Sequence, residues 1–481
     1  MDSLDQIEPA RAADAAAPAS VAADRPLPAP SWPAVATLGA LALGFGAGAA
    51  MRARQGPVAR GSRPAARLAP AGKTLAAASP AVLAGSPRRR LYAGMNPERA
   101  VTIEDLRAMA HRRLPDFALD YLEGGGEDEA SLAGNIAALA EWRFRHRSLV
   151  DVSRRDVSTT LFERKMAMPV AIAPTGLNGV FCPHADLRLA EAAAAAGVPC
   201  AQSTMSNDDM RRVAQVPGLR YWWQLYVFGP PEVRETLIDR AREIGCEALI
   251  VTTDAQIYGN REWDKRNRAS QDRLSWAALF DAALHPRWLA TRLGHGMPRF
   301  RNVQEFVPAN RRGLFESAHW VRSQMDRALT WDTVARIRER WPRKLIVKGL
   351  LDVQDVVRAQ QVGVDAVALS NHGGRQLDWA VAPIDVLPAA RRAVGDRFAI
   401  ICDGGVRRGT DVIKMIALGA DAVFVGRAAL YGVAAAGRAG ARRALAILRE
   451  EIDRDLGLLG VRSFADLDRS LLVRASDRGA E

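Results

Sequence analysis

A short apolar run, rich in β-branched residues and leading through a turn into an amphipathic helix, recurs eight times between residues 169 and 432. Strands that are apolar throughout and alternate with helices are typical of a parallel sheet covered by helices. An open doubly wound sheet is the alternative to a closed barrel, and polar residues at nearly every strand end favour the barrel. The sequence therefore predicts an α/β fold, a (β/α)8 TIM barrel. The predicted strands span residues 169–175, 199–204, 221–227, 248–254, 345–349, 366–372, 399–404 and 422–426.

The carboxyl ends of these strands carry polar or glycine residues, which in a barrel meet at one mouth. The sixth strand leads into Ser370, His372 and Arg375. A histidine exchanges protons near neutral pH, and a guanidinium group holds a carboxylate through two hydrogen bonds, so this loop suits chemistry on a carboxylic acid. The other strands contribute Thr175, Gly176, Ser203, Gln224, Tyr226, Thr252, Asp254, Lys348, Asp403, Gly404, Gly405, Arg407, Gly426 and Arg427.

The seventh and eighth strands both end in glycine followed closely by arginine, and a helix follows each. Backbone N–H groups at glycines, a helix N-terminus and an arginine together bind phosphate, and barrels commonly place such a site after these two strands. The pattern predicts a phosphorylated ligand or cofactor.

A helical segment precedes the barrel. Ile103, Leu106 and Met109 recur at helical spacing after Thr102, a good N-terminal cap, and the pattern continues over residues 114–122. Three glycines at 124–126 end it. Tyr121 lies just before this break, where it is either a core tyrosine or a residue exposed to a ligand.

Residues 1–94 are dominated by Ala, Pro, Gly and Arg and hold three aromatic residues. Such a segment has too little bulky apolar surface to offset its ordering entropy, so we expect a disordered extension followed by a barrel domain over 95–481. An over-long start assignment would explain the extension, because ordinary globular composition begins at Met95. Residues 33–51 carry no charge, but small residues predominate there and make membrane insertion marginal.

Charge and cysteine content exclude two classes of site. Of the net charge of +12, residues 1–94 contribute +6, and the rest, with 55 basic and 49 acidic groups, contributes another +6. That is mild for its size, and no basic stripe is interleaved with aromatic residues, so a nucleic-acid partner is not indicated. The four cysteines are scattered without a Cys-x-x-Cys pair, which indicates neither a disulfide framework nor a metal site and fits a cytoplasmic protein.

Five motifs carry a family resemblance. They are Pro-Thr-Gly-Leu-Asn-Gly at 174–179, Trp-Gln-Leu-Tyr-Val at 223–227, Lys-Gly-Leu-Leu at 348–351, Ser-Asn-His-Gly-Gly-Arg-Gln-Leu-Asp at 370–378 and Gly-Arg-Ala-Ala-Leu-Tyr-Gly at 426–432. Over residues 101–460 the sequence resembles the FMN-dependent α-hydroxy acid dehydrogenase and oxidase family, in particular its mandelate dehydrogenase branch. The resemblance implies oxidation of an (S)-2-hydroxy acid to the 2-oxo acid.

The resemblance also implies roles for the substrate-facing residues. His372 would act as the base on the α-carbon or the hydroxyl group of the substrate, and Asp254 would stabilise the imidazolium that forms, as a carboxylate beside a histidine does. Arg375 would hold the substrate carboxylate with help from Tyr121 and Arg261, and Tyr226 would donate to the substrate oxygen. A surface ion pair with Glu262 or Asp264 is the alternative for Arg261.

FMN is the implied cofactor. Lys348 would lie beside the flavin pyrimidine and stabilise the reduced ring. The remaining residues divide by the part of FMN that they would hold: Thr175, Gly176, Ser203, Gln224, Thr252 and Ser370 the ring and ribityl chain, and Asp403, Gly404, Gly405, Arg407, Gly426 and Arg427 the ribityl chain and phosphate.

Two positions bear on the substrate. Gly176 stands where many family members carry alanine, and Met205 stands where the short-chain glycolate oxidases carry tryptophan. Both differences open space next to the flavin, which favours a bulky or aromatic substrate side chain.

About 75 residues, 255–329, separate the fourth strand from the next barrel helix, which is typical of a functional lid or attachment segment. Within it, residues 274–293 combine Trp and Leu with flanking Arg, a composition that suits a membrane interface and equally a helix packed on the barrel flank. Residues 284–288 and 295–298 resemble the mandelate dehydrogenase branch, in which this loop carries membrane attachment. We therefore expect peripheral contact with the cytoplasmic face of the inner membrane and transfer of electrons to a quinone or another carrier.

Two alternatives stay open at this point. One is a soluble 2-hydroxy acid oxidase of the glycolate or lactate type that uses O2, and the other, from a different functional class, is a non-catalytic phosphate-binding barrel. The resemblance further implies a homo-oligomer, a tetramer as in the family.

Overall fold

Eight parallel strands close into a barrel in chain order in the computed structural model, which describes residues 90–270 and 273–477. The last strand pairs with the first, Val423 opposite Val170, so the predicted (β/α)8 barrel is confirmed. Each strand overlaps its predicted range and most end one to three residues earlier. The strands are β1 Val170–Ile172, β2 Cys200–Ser203, β3 Tyr221–Leu225, β4 Ala248–Thr252, β5 Lys344–Leu350, β6 Ala366–Leu369, β7 Ala399–Cys402 and β8 Ala422–Val425.

The inside of the barrel is packed with apolar side chains. Small residues such as Ala171, Ala201 and Ala368 alternate with the large rings of Trp222 and Phe424, which meet edge to face with centroids 5.9 Å apart. This packing excludes solvent below the strand ends. The polar residues are thereby confined to the carboxyl-end mouth.

Helices surround the barrel and also precede it. Helices alternate with the barrel strands, as the sequence pattern predicts. The helix over Arg427–Leu459 kinks at Ala436 and Gly437, whose dihedral angles are not helical. The helices are α1 Ile103–His111, α2 Asp116–Glu123, α3 Ala130–Glu141, α4 Ala185–Ala196, α5 Met210–Ala214, α6 Pro231–Glu243, α7 Glu262–Arg266, α8 Trp276–Ala283, α9 Pro286–His295, α10 Leu314–Ser323, α11 Trp331–Arg340, α12 Val353–Gln361, α13 Pro383–Val394, α14 Gly409–Ala417 and α15 Arg427–Leu459.

Short antiparallel pairs lie outside the barrel, and one of them joins parts of the chain that are distant in sequence. Trp142–Phe144 pairs with Leu472–Arg474. Thr159–Leu161 pairs with Arg164–Met166, and the buried Leu161 and Met166 pack against the barrel interior. A third pair joins Arg268–Ser270 to Arg273–Leu274.

The predicted helical segment before the barrel is present as α1 and α2. Thr102 caps α1 and forms a capping box with Asp105, as the sequence pattern predicts. The predicted extension over residues 1–94 lies outside the described residues apart from its last five, and the uncharged stretch 33–51 lies wholly outside them.

The long segment between β4 and α11 contains the helices α7, α8, α9 and α10. Trp288 of α9 is buried and donates from Nε1 to the carbonyl oxygen of Val180, 2.8 Å away, so part of the segment packs on the barrel mouth. In the described part of the chain, no helix combines the length and the apolar character needed to cross a bilayer.

Candidate active site

A cleft opens at the carboxyl ends of the strands, with about 1010 Å³ of space that includes open solvent. Its walls bring together most of the residues predicted from the sequence. Those that line it directly are Tyr121, Thr175, Gly176, Ser203, Tyr226, Arg261, Lys348, His372, Arg375, Asp403, Gly404, Gly405, Arg407, Gly426 and Arg427. Gln224, Thr252, Asp254 and Ser370 lie directly behind this wall, where each bonds to a lining residue or to its neighbour.

His372 is held between two side chains from neighbouring strand ends. Its Nδ1 lies 3.0 Å from Asp254 Oδ1, and its Nε2 lies 3.4 Å from the Tyr226 hydroxyl oxygen. A carboxylate at Nδ1 fixes the proton on that nitrogen, so Nε2 is the basic atom toward the cleft. Burial lowers the pKa of His372 below its ordinary value, against the opposing effect of Asp254. The imidazole is therefore neutral near pH 7 and can accept a proton.

The backbone around this pair is unusual. His372 has a φ of +59°, a left-handed conformation that costs a non-glycine residue free energy and is concentrated at functional sites. Gly349, with a φ of +107°, lies against Asp254, and a Cβ atom at 349 would come within 2.7 Å of the Asp254 Cβ. Glycine at this position of β5 therefore makes room for the carboxylate.

Asp254 is suited to stabilise a positive charge on the imidazole. Burial raises the pKa of a carboxyl group, but the charge and hydrogen bond of His372, together with Lys348, lower the pKa of Asp254 below its usual value. The group is therefore ionised. Its Oδ2 is buried and has no hydrogen-bond partner among the described residues.

Arg375, Tyr121 and Arg261 cluster on one side of the cleft. The Arg375 guanidinium lies 5.0 Å from the centre of the Tyr121 ring and donates to the Gly124 carbonyl oxygen at 2.6 Å. Burial and the nearby Arg261 lower the pKa of Arg375 to about 10, so both side chains are cations at neutral pH. Two adjacent guanidinium groups favour a bound carboxylate.

Arg261 does not form the surface ion pair that was its alternative interpretation. Within the described ranges, Glu262 pairs with Arg266 instead, at 3.1 Å. The Arg261 Nε donates to the Arg375 carbonyl oxygen at 3.4 Å, and its side chain lines the cleft.

A polar chain crosses the floor of the cleft from β5 to β7. Lys348 Nζ donates to the Ser370 hydroxyl at 2.7 Å, and that hydroxyl donates to Asp403 Oδ2 at 2.8 Å. The other Asp403 oxygen, Oδ1, is buried without a hydrogen-bond partner in the described chain. An orphaned buried acceptor costs free energy, and a ligand that carries hydroxyl groups, such as a ribityl chain, would satisfy it.

A second chain crosses β2, β3 and β4. Ser203 Oγ donates to Gln224 Oε1 at 2.8 Å, and Gln224 Nε2 donates to Thr252 Oγ1 at 2.9 Å. All three residues are buried. Together with the Lys348 chain they supply a row of polar atoms along one wall, as recognition of a flat polar ring requires.

The predicted phosphate-binding residues meet at the start of α15. Gly426 is the N-terminal cap of α15, and Gly404 and Gly405 have φ values of +99° and +80°, which favour glycine. Arg407 lies with its guanidinium 5.3 Å from the Tyr431 ring centre. These features form an anion-binding corner of the cleft.

Arg427 lines the cleft and also makes several hydrogen bonds within the protein. Its guanidinium nitrogens donate to the carbonyl oxygens of Leu122, Glu123, Gly124 and Gly373 at 2.8–3.2 Å. Burial and the neighbouring Arg375 lower its pKa to about 9. Arg427 therefore connects the end of α2 to the loop after β6, and it contributes positive charge to the anion-binding corner.

The sequence did not indicate a buried network behind Thr175. Asn178 Nδ2 lies 2.9 Å from Thr175 Oγ1 and 2.7 Å from Asp186 Oδ1, and Asp186 Oδ2 accepts from the backbone N–H groups of Asn207 and Asp208. Burial, together with the negative charge of the nearby Asp208, raises the pKa of Asp186 to about 7. Asn178 lies within a recognised motif, but Asp186 has the appearance of an ordinary first-turn helix residue.

Gly176 is also fixed by its surroundings. Its carbonyl oxygen accepts from the Tyr121 hydroxyl at 3.2 Å, and an added Cβ would lie 3.1 Å from both the Cβ and the carbonyl oxygen of Met205. Gly176 therefore allows Met205 to pack close to the backbone at this position, and an alanine at 176 would crowd Met205.

Comparison with known proteins gives the chain a family. Residues 110–474 match the model of the FMN-dependent dehydrogenase family. (S)-Mandelate dehydrogenase from Pseudomonas putida is 41% identical over 372 residues, which cover 77% of this chain and 93% of that protein. An L-lactate dehydrogenase from Caulobacter vibrioides is 39% identical over 375 residues, or 78% and 98% of the two chains.

Solved structures agree. The crystal structure of the monotopic membrane protein (S)-mandelate dehydrogenase aligns with a TM-score of 0.75 and 40% identity over 78% of this chain and 100% of that one. A crystal structure of mandelate oxidase aligns with a TM-score of 0.66 and 34% identity over 78% and 98%. The predicted fold, enzyme class and FMN dependence are thereby confirmed. The chain belongs to the family of FMN-dependent α-hydroxy acid dehydrogenases.

Proposed function

We propose that this protein oxidises an (S)-2-hydroxy acid, mandelate-like or lactate-like, to the 2-oxo acid. The observation that carries the proposal is the single cleft in which a carboxylate-paired histidine, His372, faces the same space as Arg375 and the anion-binding corner. A base, a carboxylate site and a cofactor site must share one cleft for this reaction.

His372 acts as the base in this proposal. Its neutral Nε2 takes a proton from the α-carbon or the hydroxyl group of the substrate, and Asp254 at Nδ1 stabilises the imidazolium. Tyr226, 3.4 Å from Nε2, donates to the substrate oxygen. Burial raises the pKa of Tyr226, so its hydroxyl keeps the proton that it donates.

Arg375, Arg261 and Tyr121 hold the substrate carboxylate. Two guanidinium groups provide charge, and the Tyr121 hydroxyl, now directed to the Gly176 carbonyl, can turn to the ligand. Fixing the carboxylate places the α-carbon toward the histidine, which turns a bimolecular encounter into an oriented one.

The residues of the cleft fit FMN. Lys348, with Ser203, Gln224 and Thr252, would hold the ring, and Asp403 with its orphaned Oδ1 would hold the ribityl hydroxyls. Gly404, Gly405, Arg407 and the N-terminus of α15 would hold the phosphate. FMN, when bound, supplies a two-electron acceptor for the substrate. Lys348 contributes positive charge at the ring edge.

The natural electron acceptor is proposed to be a membrane quinone or another carrier. The apolar side chains of α8 and α9 divide between two faces, and Trp276 is 81% and Phe280 69% exposed while Trp288 is buried. Exposed Trp, Phe and Leu beside arginines suit the membrane interface. A relative of similar fold is described as monotopic. These observations support peripheral attachment, with the cytoplasmic face of the inner membrane as the proposed location.

Oxidase activity is the second candidate, because mandelate oxidase shares the fold at 34% identity. Anaerobic stopped-flow mixing of the FMN-loaded protein with a panel of (S)-2-hydroxy acids, followed by air or a quinone, separates the candidates. Flavin bleaching by mandelate or lactate with slow reoxidation in air supports the dehydrogenase. Fast stoichiometric hydrogen peroxide formation supports the oxidase, and a lack of bleaching by every acid contradicts both and favours a non-catalytic phosphate-binding barrel.

Two further expectations stay proposals. A homo-oligomer, a tetramer by family resemblance, is checked by light scattering of the purified protein. The division into an extension over 1–94 and a catalytic domain over 95–481 is checked by mass spectrometry of the protein from its native cell, since peptides from before Met95 would contradict an over-long start assignment.

A further inference from the structure

The cleft continues into a second, outer chamber that the proposed chemistry does not use. The two spaces share Tyr121, Met205, Tyr258 and Arg261 as a common wall. The outer chamber has about 820 Å³ of space, part of it open to solvent. A two- or three-carbon hydroxy acid held at Arg375 would leave this chamber empty.

One side of the outer chamber is apolar. Leu177, Met205, Phe300, Leu314 and Phe315 line it, and all of them are buried or half-buried. Such a wall suits an aromatic or long aliphatic substrate side chain.

The other side is cationic. Arg261, Arg268 and Arg322 line the chamber together with the single carboxylate Asp264. Within residues 90–270 and 273–477, none of these three arginines has a carboxylate oxygen within 4.0 Å; each instead lies near an aromatic ring, Arg261 and Arg322 over Tyr258 and Arg268 over Phe315. Burial lowers the pKa of Arg322, and the positive charge of the nearby Arg261 lowers it further. Three guanidinium groups that share a chamber with one carboxylate leave a net positive charge, which favours an anion between them.

Arg261 lies at the junction and already serves the substrate carboxylate in the proposed function. Arg268 and Arg322 lie beyond it. A substrate with one carboxylate needs only Arg375 and Arg261, so these two further cations have no role in binding such a substrate. Tyr258 separates the two chambers, with its ring 6.3 Å from the Tyr226 ring and 5.0 Å from the Arg322 guanidinium. A path of contacts thus leads from the base to the outer arginines.

We propose that the outer chamber binds the far end of the substrate side chain and that this end carries an anionic group. The substrate class is then a 2-hydroxy acid with an aromatic or similarly bulky apolar side chain that ends in a carboxylate or another anion. This inference rests on the proposed function, since it assumes that the 2-hydroxy acid group lies at His372 and Arg375.

The test compares matched substrates with the FMN-loaded, full-length protein. Anaerobic flavin reduction is measured for (S)-mandelate, for its 3- and 4-methyl derivatives, which add bulk without charge, and for its 3- and 4-carboxy derivatives. We expect kcat/KM for at least one carboxy derivative to exceed that of its methyl counterpart about tenfold, the effect of one partly screened charge-assisted contact. The preference should shrink as salt is added.

The variants R322Q and R268Q should each reduce this carboxy-over-methyl preference several-fold. R266Q is the matched control, because Arg266 lies in the same segment, is exposed and pairs with Glu262. It should leave the preference unchanged. Retained absorbance of bound FMN in each variant shows that the protein is folded.

Three results would overturn the inference. One is that neither carboxy derivative is favoured over its methyl counterpart. Another is that R322Q and R266Q reduce the carboxy-over-methyl preference equally, which would show a general effect of positive charge instead of binding in the outer chamber. The third is that R322Q slows reoxidation by a quinone but not flavin reduction, which would assign the chamber to the acceptor. If mandelate itself bleaches the flavin in these cases, the proposed function stands while this inference fails.

Discussion

The barrel mouth and the segment over residues 255–329 use the same residue types in opposite ways. At the mouth, arginines, tyrosines and carboxylates are buried or half-buried and most of them bond to a neighbouring strand end, as Asp254 does to His372. In the segment, arginines stack on aromatic rings at the surface, and large apolar side chains such as Trp276 are left exposed.

The difference reflects what fixes each region. Eight strands position the mouth, so its side chains are fixed by the barrel, as catalysis requires. The segment packs on the barrel through buried residues and through hydrogen bonds such as Trp288 Nε1 to the Val180 carbonyl oxygen and Arg292 Nη1 to the Gly179 carbonyl oxygen, but it leaves Trp276 and Phe280 exposed. Such a region can change its partners without disturbing the chemistry. We therefore expect changes at the mouth to affect turnover and changes at the exposed apolar side chains of the segment, such as Trp276, to affect partner choice.

Replacing the base should have the largest effect. His372→Asn removes the proton acceptor, while asparagine tolerates the left-handed backbone at this position better than most residues. We expect the rate of anaerobic flavin reduction to fall about 10³–10⁴-fold with FMN still bound. His146→Asn, at an exposed site away from the cleft, is the control. A decrease of less than tenfold in His372→Asn would rule out a general-base role.

Asp254→Asn should reduce turnover by about 10²–10³-fold, because it removes the charge that stabilises the imidazolium. It should also change the pH profile. The base is active when unprotonated, so kcat/KM falls as pH drops through the pKa of His372, which lies below its ordinary value. Asp254 raises that pKa, so its loss should move the acid limb to lower pH. An acid limb that stays in place would mean that another group titrates.

Arg375→Met should decrease kcat/KM about 10–100-fold, mainly through KM, because a charged hydrogen-bonding partner of the substrate carboxylate is lost. Arg375→Lys should recover only part of this, since lysine lacks the two-pronged geometry. Arg358→Met, on the exposed side of α12, is the control. Equal KM values for wild type and Arg375→Met would contradict the proposed clamp.

The smallest effect on turnover is expected in the segment. Trp276→Ser combined with Phe280→Ser should lower binding to vesicles of anionic phospholipid about tenfold, since both side chains are exposed and apolar. Turnover with a soluble dye acceptor should stay the same. Leu149→Ser removes an equally exposed leucine elsewhere and should leave vesicle binding unchanged. If the double variant instead loses turnover and keeps vesicle binding, the division between the two regions is wrong.

The barrel and its mouth could be predicted because both follow from short-range patterns in the sequence. Apolar runs mark the strands, and polar residues at or directly after their carboxyl ends, such as Lys348 and Asp403, face the mouth once the barrel closes. The FMN prediction came from motifs in the same loops.

Contacts between distant parts of the chain could not be predicted. Arg427 bonds carbonyl oxygens more than 300 residues away at the end of α2, and Asp186 joins the loops after β1 and β2 through Asn178 and Asn207. Neither has a local pattern. In the segment, the composition suited a membrane interface and equally a helix packed on the barrel flank, because which face of α8 and α9 is buried depends on a barrel surface that the local sequence does not describe.

The central claim is that one cleft holds the base, the carboxylate clamp and the cofactor together. A crystal structure of the FMN-loaded protein with a bound 2-oxo acid product tests it most directly. We predict the product carboxylate at Arg375 and Tyr121, its carbonyl carbon facing His372 Nε2, and the flavin ring between Lys348 and the product. A product carboxylate bound away from Arg375, or a flavin ring that does not reach Lys348, would contradict the account.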